Sequence, residues 1–183
     1  MAIRELIVRT YAEWTALSAL RTGSPIRSRK SVYRAIRQLD FSQLVDPSLG
    51  RIECEEFERW HTGALRRLGE VEPALAQQIG WAAKIVNVYL KTYAYVGDQG
   101  RANLRGCLHP PIDAGLWKGV KRQFRGRDDI LGDTHCVTTI QAITTPELYA
   151  QLIRGLRAAA TELGCSLIEV EQLWEGTKVP GEA

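Results

Sequence analysis

Hydrophobic residues recur at intervals of three and four along most of the chain, which is the spacing of one face of an α-helix. The segments with this pattern, which are the predicted helices, are residues 5–20, 29–39, 53–68, 79–96, 114–123, 145–163 and 166–174. Residues 135–143 form the one segment in which a strand is an alternative. The pattern therefore predicts an all-α protein. We expect a single-domain bundle of about seven helices over residues 1–175, with a long central apolar helix and a flexible C-terminal tail at 176–183.

The first predicted helix carries apolar residues at helical spacing, and we expect these side chains to face the core. They are Leu6, Ala12, Trp14, Leu17 and Leu20. The sequence Gly23-Ser24-Pro25 follows and is typical of a helix end.

The central apolar segment, IGWAAKIVNVYLKTYAYV at residues 79–96, carries a narrow polar stripe. The stripe consists of Gly80, Lys84, Asn87 and Lys91, which are four, three and four residues apart and so share one helix face. Such a stripe is expected to line a cleft or to contact a polar partner, with Gly80 leaving room for a ligand. Desolvation disfavours the ammonium form of an amine, so Lys84 is a candidate nucleophile. In the alternative, both lysines extend their ammonium groups to solvent.

The segment HPPID, from His109 to Asp113, supplies a candidate partner for Lys84. Pro110 and Pro111 prevent a helix from continuing, and Asp113 stands where it can cap the helix that begins at Ala114. Backbone N–H groups at a helix start favour an ionised carboxylate. Asp113 is therefore predicted to lie near Lys84, with simple helix capping as the alternative.

The sequences WAAKIVNVYLK around Lys84 and LHPPIDAGLWKGV around Asp113 resemble the catalytic core of helical base-excision DNA glycosylases, in particular the 8-oxoguanine DNA glycosylase-like group. The resemblance covers residues 81–120. It implies that Lys84 attacks the sugar C1′ atom and forms a Schiff base. It also implies that Asp113 supports the developing oxocarbenium charge and helps to generate the free amine. The chain departs from the family pattern before Lys84, where EVEPALAQQIGWAA stands in place of an LPGxGxxxA-type hairpin.

Positive charge is clustered, although the net charge is only +3. Lys118, Lys121, Arg122 and Arg125 share one helix face after Asp113, and a second basic segment lies at residues 27–37. Basic residues next to aromatic ones suit phosphate contacts and base stacking. DNA or another nucleic acid is therefore a candidate partner, and a solvated surface is the alternative. The predicted binding residues are Asn87, Lys91, His109, Trp117, Lys118, Lys121 and Arg122.

No cofactor or metal motif stands out, so the sequence predicts neither. The cysteines, Cys54, Cys107, Cys136 and Cys165, form no CxxC pair and are expected to be reduced thiols in a cytoplasmic protein. Two lysines and an asparagine within residues 79–96 argue against a membrane span. The sequence leaves homo-oligomerisation open.

Two functions follow from these features. The leading hypothesis is a nucleic-acid-directed enzyme of the lyase or glycosylase kind, with Lys84 and Asp113 in a central cleft. The alternative is a non-catalytic helical module that binds nucleic acid or a protein through its basic patches. The sequence leaves open whether the protein is catalytic at all.

Overall fold

The computed structural model of the 183-residue chain describes residues 3–20, 23–135, 137 and 139–176. Over these residues the protein is all-α, as predicted, and contains no strand. The α-helices are α1 Ile3–Ser18, α2 Arg29–Arg37, α3 Ser42–Val45, α4 Cys54–Val71, α5 Ile79–Leu90, α6 Leu104–Cys107, α7 Ala114–Gln123, α8 Asp128–Leu131 and α9 Pro146–Leu163. Short 3-10 helices lie at Pro47–Leu49, Pro73–Leu75, Gly132–Thr134, Ile140–Ala142 and Leu167–Leu173.

The centre of the bundle is α5, of which all residues except Val88 are buried. The prediction of one long apolar helix is wrong in its extent. The α-helix ends at Leu90 after 12 residues, and residues Lys91–Val96 form a π-helix. The π-helix has a wider turn than an α-helix, and it ends with a hydrogen bond from the N–H of Gly97 to the carbonyl of Thr92, five residues earlier. Within the described residues, no helix has both the length and the apolar character needed to cross a bilayer.

The helix α1 meets α5 through small side chains, including the predicted Ala12, while Leu17 and Leu20 of the predicted face are partly buried against the core. Ala12 and Ala16 are fully buried, whereas Leu6 and Trp14 are 49% and 52% exposed. The predicted core face of this helix is therefore wrong for Leu6 and Trp14. Alanine allows two helix axes to approach closely, and that approach turns the larger residues outward.

The segment at residues 135–143 packs against the start of α5. The strand alternative is wrong for its described residues, while Cys136 and Thr138 lie outside them. The N–H of Gly80 donates to the carbonyl of Ile143 at 2.9 Å, and a Cβ atom at Gly80 would collide with the carbonyl of Ile140. Because Gly80 has no side chain, the backbone of residues 140–143 can pack directly against it. The expectation that Gly80 leaves room for a ligand is wrong.

A disulfide bond joins Cys54, the first residue of α4, to Cys107, the last residue of α6. The expectation of reduced thiols is therefore wrong for this pair. Cys165 is a free thiol, and Cys136 lies outside the described residues. No spacing motif indicates this bond, because the two half-cystines are 53 residues apart and meet only when α6 packs on α4.

One hydrophobic core runs from Ala12 in α1 to Val170 near the end of the described chain. Of the predicted tail at 176–183, all residues after Gly176 lie outside the described part.

Candidate functional site

The polar stripe runs along α5 and into the π-helix, and each of its three polar side chains meets a partner from a distant part of the chain. Lys84 is buried, and its Nζ atom lies 3.5 Å from Oδ2 of Asp113. The side chain of Lys84 is 8% exposed, so the alternative in which it extends to solvent is wrong. The two residues singled out as catalytic candidates are thus adjacent.

Asp113 uses its two oxygens differently. Oδ1 caps α7, as the capping alternative indicated, by accepting hydrogen bonds from the N–H groups of Gly115 and Leu116 at 2.9 and 3.1 Å. The same oxygen accepts a hydrogen bond from Nε1 of Trp174 at 2.9 Å. Oδ2 is the atom that faces Lys84. Helix capping and pairing with the amine therefore coexist in one carboxylate.

The surroundings of the amine are apolar on one side and partly open on the other. Nζ of Lys84 lies 5.6 Å from the ring centroid of Trp81, close enough for a cation–π interaction. Trp81 is 2% exposed. Because the side chain of Asp113 is 25% exposed, solvent reaches the ion pair from the aspartate side.

Lys91 forms a second ion pair beside the first one. Its Nζ atom lies 2.7 Å from Oε1 of Glu171. Burial raises the pKa of Glu171, the Lys91 ammonium acts in the opposite direction, and the negative charge of Asp113 raises that pKa further. Lys91, Glu171 and Trp174 line a cavity of about 470 Å³. This cavity adjoins Asp113 through Trp174 but is not lined by Lys84 or Asp113 themselves.

Asn87 is the centre of a buried hydrogen-bond network. Its Nδ2 atom donates to the carbonyl of Pro110 at 3.1 Å and to the hydroxyl of Tyr149 at 3.0 Å. A carbonyl only accepts, so these contacts fix the orientation of the amide. Oδ1 of Asn87 then accepts a hydrogen bond from Nε2 of His61 at 2.8 Å.

The network continues from Tyr149 to the surface. The Tyr149 hydroxyl lies 2.9 Å from Nδ1 of His109, and Nε2 of His109 lies 2.8 Å from Oε1 of Glu58, which also pairs with Arg157. Because Asn87 donates to Tyr149, the hydroxyl is free to donate onward to His109, whose Nε2–H then donates to Glu58. Both ring nitrogens of His109 are thus bonded within the protein. The structure places this predicted binding residue in the network and not beside Lys84.

Burial sets the protonation of the network. It lowers the pKa of His61 to about 3, with the neighbouring His109 acting in the same direction. Burial also lowers the pKa of His109, although Glu58 opposes that effect. For Glu58, burial acts to raise the pKa, but the hydrogen bond from His109 and the charge of Arg157 outweigh it, and its pKa falls below the ordinary value. Both histidines are therefore neutral near pH 7.

A cavity of about 1010 Å³ lies beside this network and not at the Lys84–Asp113 pair. Glu58, His61, Tyr149 and Arg157 all line it. The sequence reasoning missed three of them as functional candidates and interpreted His61 as core packing. The three-residue spacing of Glu58 and His61 on α4 is the one local signal that pointed to a shared face.

The predicted basic surface is only partly available. Trp117 is 7% exposed, and its Nε1 atom donates to the carbonyl of Thr134, so the expectation that Trp117 stacks on bases is wrong. Arg122 pairs with Glu175 at 2.6 Å. Lys118 is exposed and Lys121 is partly exposed; within the described chain neither has an ion pair.

Comparisons with protein-family models, with curated proteins and with solved structures found no match to this chain. The resemblance to helical base-excision glycosylases therefore depends on the residues around Lys84 and Asp113 alone.

Proposed function

We propose that the protein is a nucleic-acid-directed lyase of the glycosylase kind, in which Lys84 is the nucleophile and Asp113 its electrostatic partner. The observation that supports this proposal is the buried pair itself. An amine and a carboxylate, 29 residues apart in the chain, meet at 3.5 Å, and the carboxylate is fixed by three further donors. This arrangement has the two groups that Schiff-base chemistry needs within reach of one another.

The proposed reaction begins when Asp113 accepts a proton from the Lys84 ammonium. The free amine then attacks the C1′ aldehyde carbon of an abasic sugar, and loss of water from the resulting carbinolamine gives an iminium ion. Asp113 returns its proton to the departing water as the iminium forms, and its carboxylate then accepts the C2′ proton, so that the C3′–O bond breaks and the 3′ phosphate leaves. Hydrolysis of the remaining imine returns Lys84.

Access to the amine is proposed to come from the side of Trp174. This side chain covers Oδ1 of Asp113 and lines the cavity of about 470 Å³. A sugar that displaced the indole ring would enter next to the ion pair. The exposed Lys118 and the partly exposed Lys121, on the helix that Asp113 caps, are suitably placed to contact a phosphate backbone.

A borohydride-trapping experiment on abasic-site DNA tests the proposal. We expect the wild-type protein to form a covalent adduct and Lys84→Ala to lose it. Lys91→Ala is the comparison that separates the nucleophile from a neighbouring lysine: because Lys91 lines the proposed entry, this variant should bind DNA more weakly but should still form the adduct at saturating DNA. If the wild type forms no adduct on abasic DNA or on a panel of damaged oligonucleotides, the enzyme proposal is wrong.

The second candidate is a non-catalytic module that binds nucleic acid through its basic surface. The exposed, unpaired Lys118 favours it. Under this alternative, salt-dependent DNA binding disappears in Lys118→Glu/Lys121→Glu and survives in Lys84→Ala. The cytoplasmic location stays a prediction, and the Cys54–Cys107 disulfide favours an oxidising compartment instead.

A further inference from the structure

The cavity of about 1010 Å³ is separate from the Lys84–Asp113 pair and has its own chemistry. Residues of α4 and α9 form most of its lining, together with Ala76 and Ile79. Its volume is at the upper end of what small-molecule sites occupy. Neither Lys84 nor Asp113 lines it, so the proposed lyase reaction does not account for it.

His61 lines this cavity, and the hydrogen bonds of Asn87 determine which of its two ring nitrogens is left for a ligand. Since Oδ1 of Asn87 accepts, Nε2 of His61 carries the hydrogen. The ring is neutral, so its Nδ1 atom has a lone pair and no hydrogen. Among the described residues Nδ1 has no hydrogen-bond partner. His61 therefore offers one unpaired acceptor, held in orientation by the network behind it.

The wall around this acceptor is apolar. Leu65, Ile79 and Ile153 line the same cavity and are 6%, 8% and 4% exposed. A ligand with an apolar body would displace water from these side chains, which is favourable. His61 itself is only 1% exposed, so a ligand must reach Nδ1 with a thin edge.

We propose that this cavity binds a planar heteroaromatic molecule whose ring N–H donates a hydrogen bond to Nδ1 of His61. Such a ring combines the three required properties: a hydrogen-bond donor, an apolar body and a flat edge. A purely apolar ring of the same size would leave Nδ1 unpaired. A cationic ring is disfavoured because the lining has four arginines against three glutamates, and Arg59 has no ion pair within the described chain.

A pair of matched probes isolates the hydrogen bond. Indole has the ring N–H, and benzofuran has nearly the same shape with an oxygen that cannot donate. We expect indole to bind the intact protein at least tenfold more tightly than benzofuran, as measured by calorimetry or by ligand-detected NMR.

Two variants assign that preference to the site. In His61→Phe the acceptor is replaced by an apolar ring, and the indole-to-benzofuran preference should fall to about one even if both probes still bind. In Ala150→Trp a bulky side chain on the cavity wall should weaken both probes together. Because the first readout is a ratio on one protein, a change in stability does not mimic it.

Three results would overturn the proposal. Indole could fail to bind at millimolar concentration, its preference over benzofuran could persist in His61→Phe, or its affinity could be unchanged in Ala150→Trp. A histidine ¹⁵N spectrum gives an independent check. The Nδ1 resonance of His61 should have the position of an unprotonated nitrogen and should shift upon addition of indole but not of benzofuran.

Discussion

At the scale of single residues, the spacing of polar positions on α5 predicted which side chains share a face but not what they contact. Lys84 and Asn87 face inward, as their three-residue interval indicates, and Lys91, whose side chain is 36% exposed, reaches Glu171 at the edge of the core. Their partners Tyr149 and Glu171 are 62 and 80 residues away from the side chains they contact, on α9 and the last 3-10 helix. Local periodicity has no information about such distant contacts, so only the proline-fixed Asp113 was found.

The Lys84–Asp113 pair gives an asymmetric prediction for stability. Asp113→Ala leaves a buried amine without its partner and removes the cap of α7, so the free energy of unfolding should fall by roughly 3 kcal/mol. Lys84→Met leaves the carboxylate with its three other donors, so the free energy of unfolding should change by less than about 1.5 kcal/mol. Urea denaturation of both variants measures the difference. If both variants lost the same free energy of unfolding, the loss of the ion pair, and not the unpaired buried amine, would account for the decrease.

The two buried histidines predict a loss of stability in acid. The folded-state pKa of His61 is about 3, below the ordinary 6.5, so the unfolded chain binds a proton that the folded one excludes. The stabilising contribution is complete above pH 6.5 and is lost as the pH falls from 6.5 towards 3, by about 5 kcal/mol in total. The lowered pKa of His109 acts in the same direction.

Denaturant unfolding between pH 7 and pH 4 measures this effect, with His61→Phe as the comparison that removes one titrating group. Several carboxylates also have lowered pKa values, so wild type loses stability in acid for more than one reason. The difference between wild type and variant isolates the histidine. Parallel curves for the two proteins would contradict the buried, neutral state of His61.

At the scale of helices, the sequence predicted where most elements lie but not always which face they bury. Hydrophobicity favours burying Leu6 and Trp14 of α1, yet the helix packs through Ala12 and Ala16. Close approach to α5 required small residues at the contact, and no property of α1 alone reveals how near its neighbour comes. Gly80 illustrates the same limit. Its missing side chain was interpreted as space for a ligand, and the carbonyl of Ile140 occupies that space.

At the scale of the whole molecule, hydrophobic periodicity was enough to predict the all-α class, because 3.6-residue spacing recurs in nearly every segment. The way in which distant segments are joined was not predictable. The Cys54–Cys107 bond ties the start of α4 to the end of α6, and its half-cystines have no local motif. The bond also bears on the proposed ligand site, since α4 carries Glu58 and His61 while His109 follows α6 by two residues.

The disulfide makes a final prediction, on global stability. The two half-cystines are 53 residues apart, and in the chain-entropy model closing a loop of that length stabilises the folded state by about 4 kcal/mol. Cys54→Ser/Cys107→Ser should therefore unfold at a much lower urea concentration than wild type, and a reductant should bring wild type close to the variant. Cys165→Ser, which changes a free thiol, should leave the reductant effect intact.

The disulfide also bears on ligand binding. In Cys54→Ser/Cys107→Ser, only packing holds His109 next to the α4 residues, so this variant should bind indole more weakly than the oxidised protein does. If thiol titration of the unreduced, unfolded chain finds all four cysteines free, the bond does not form, and the expectation of reduced thiols stands after all.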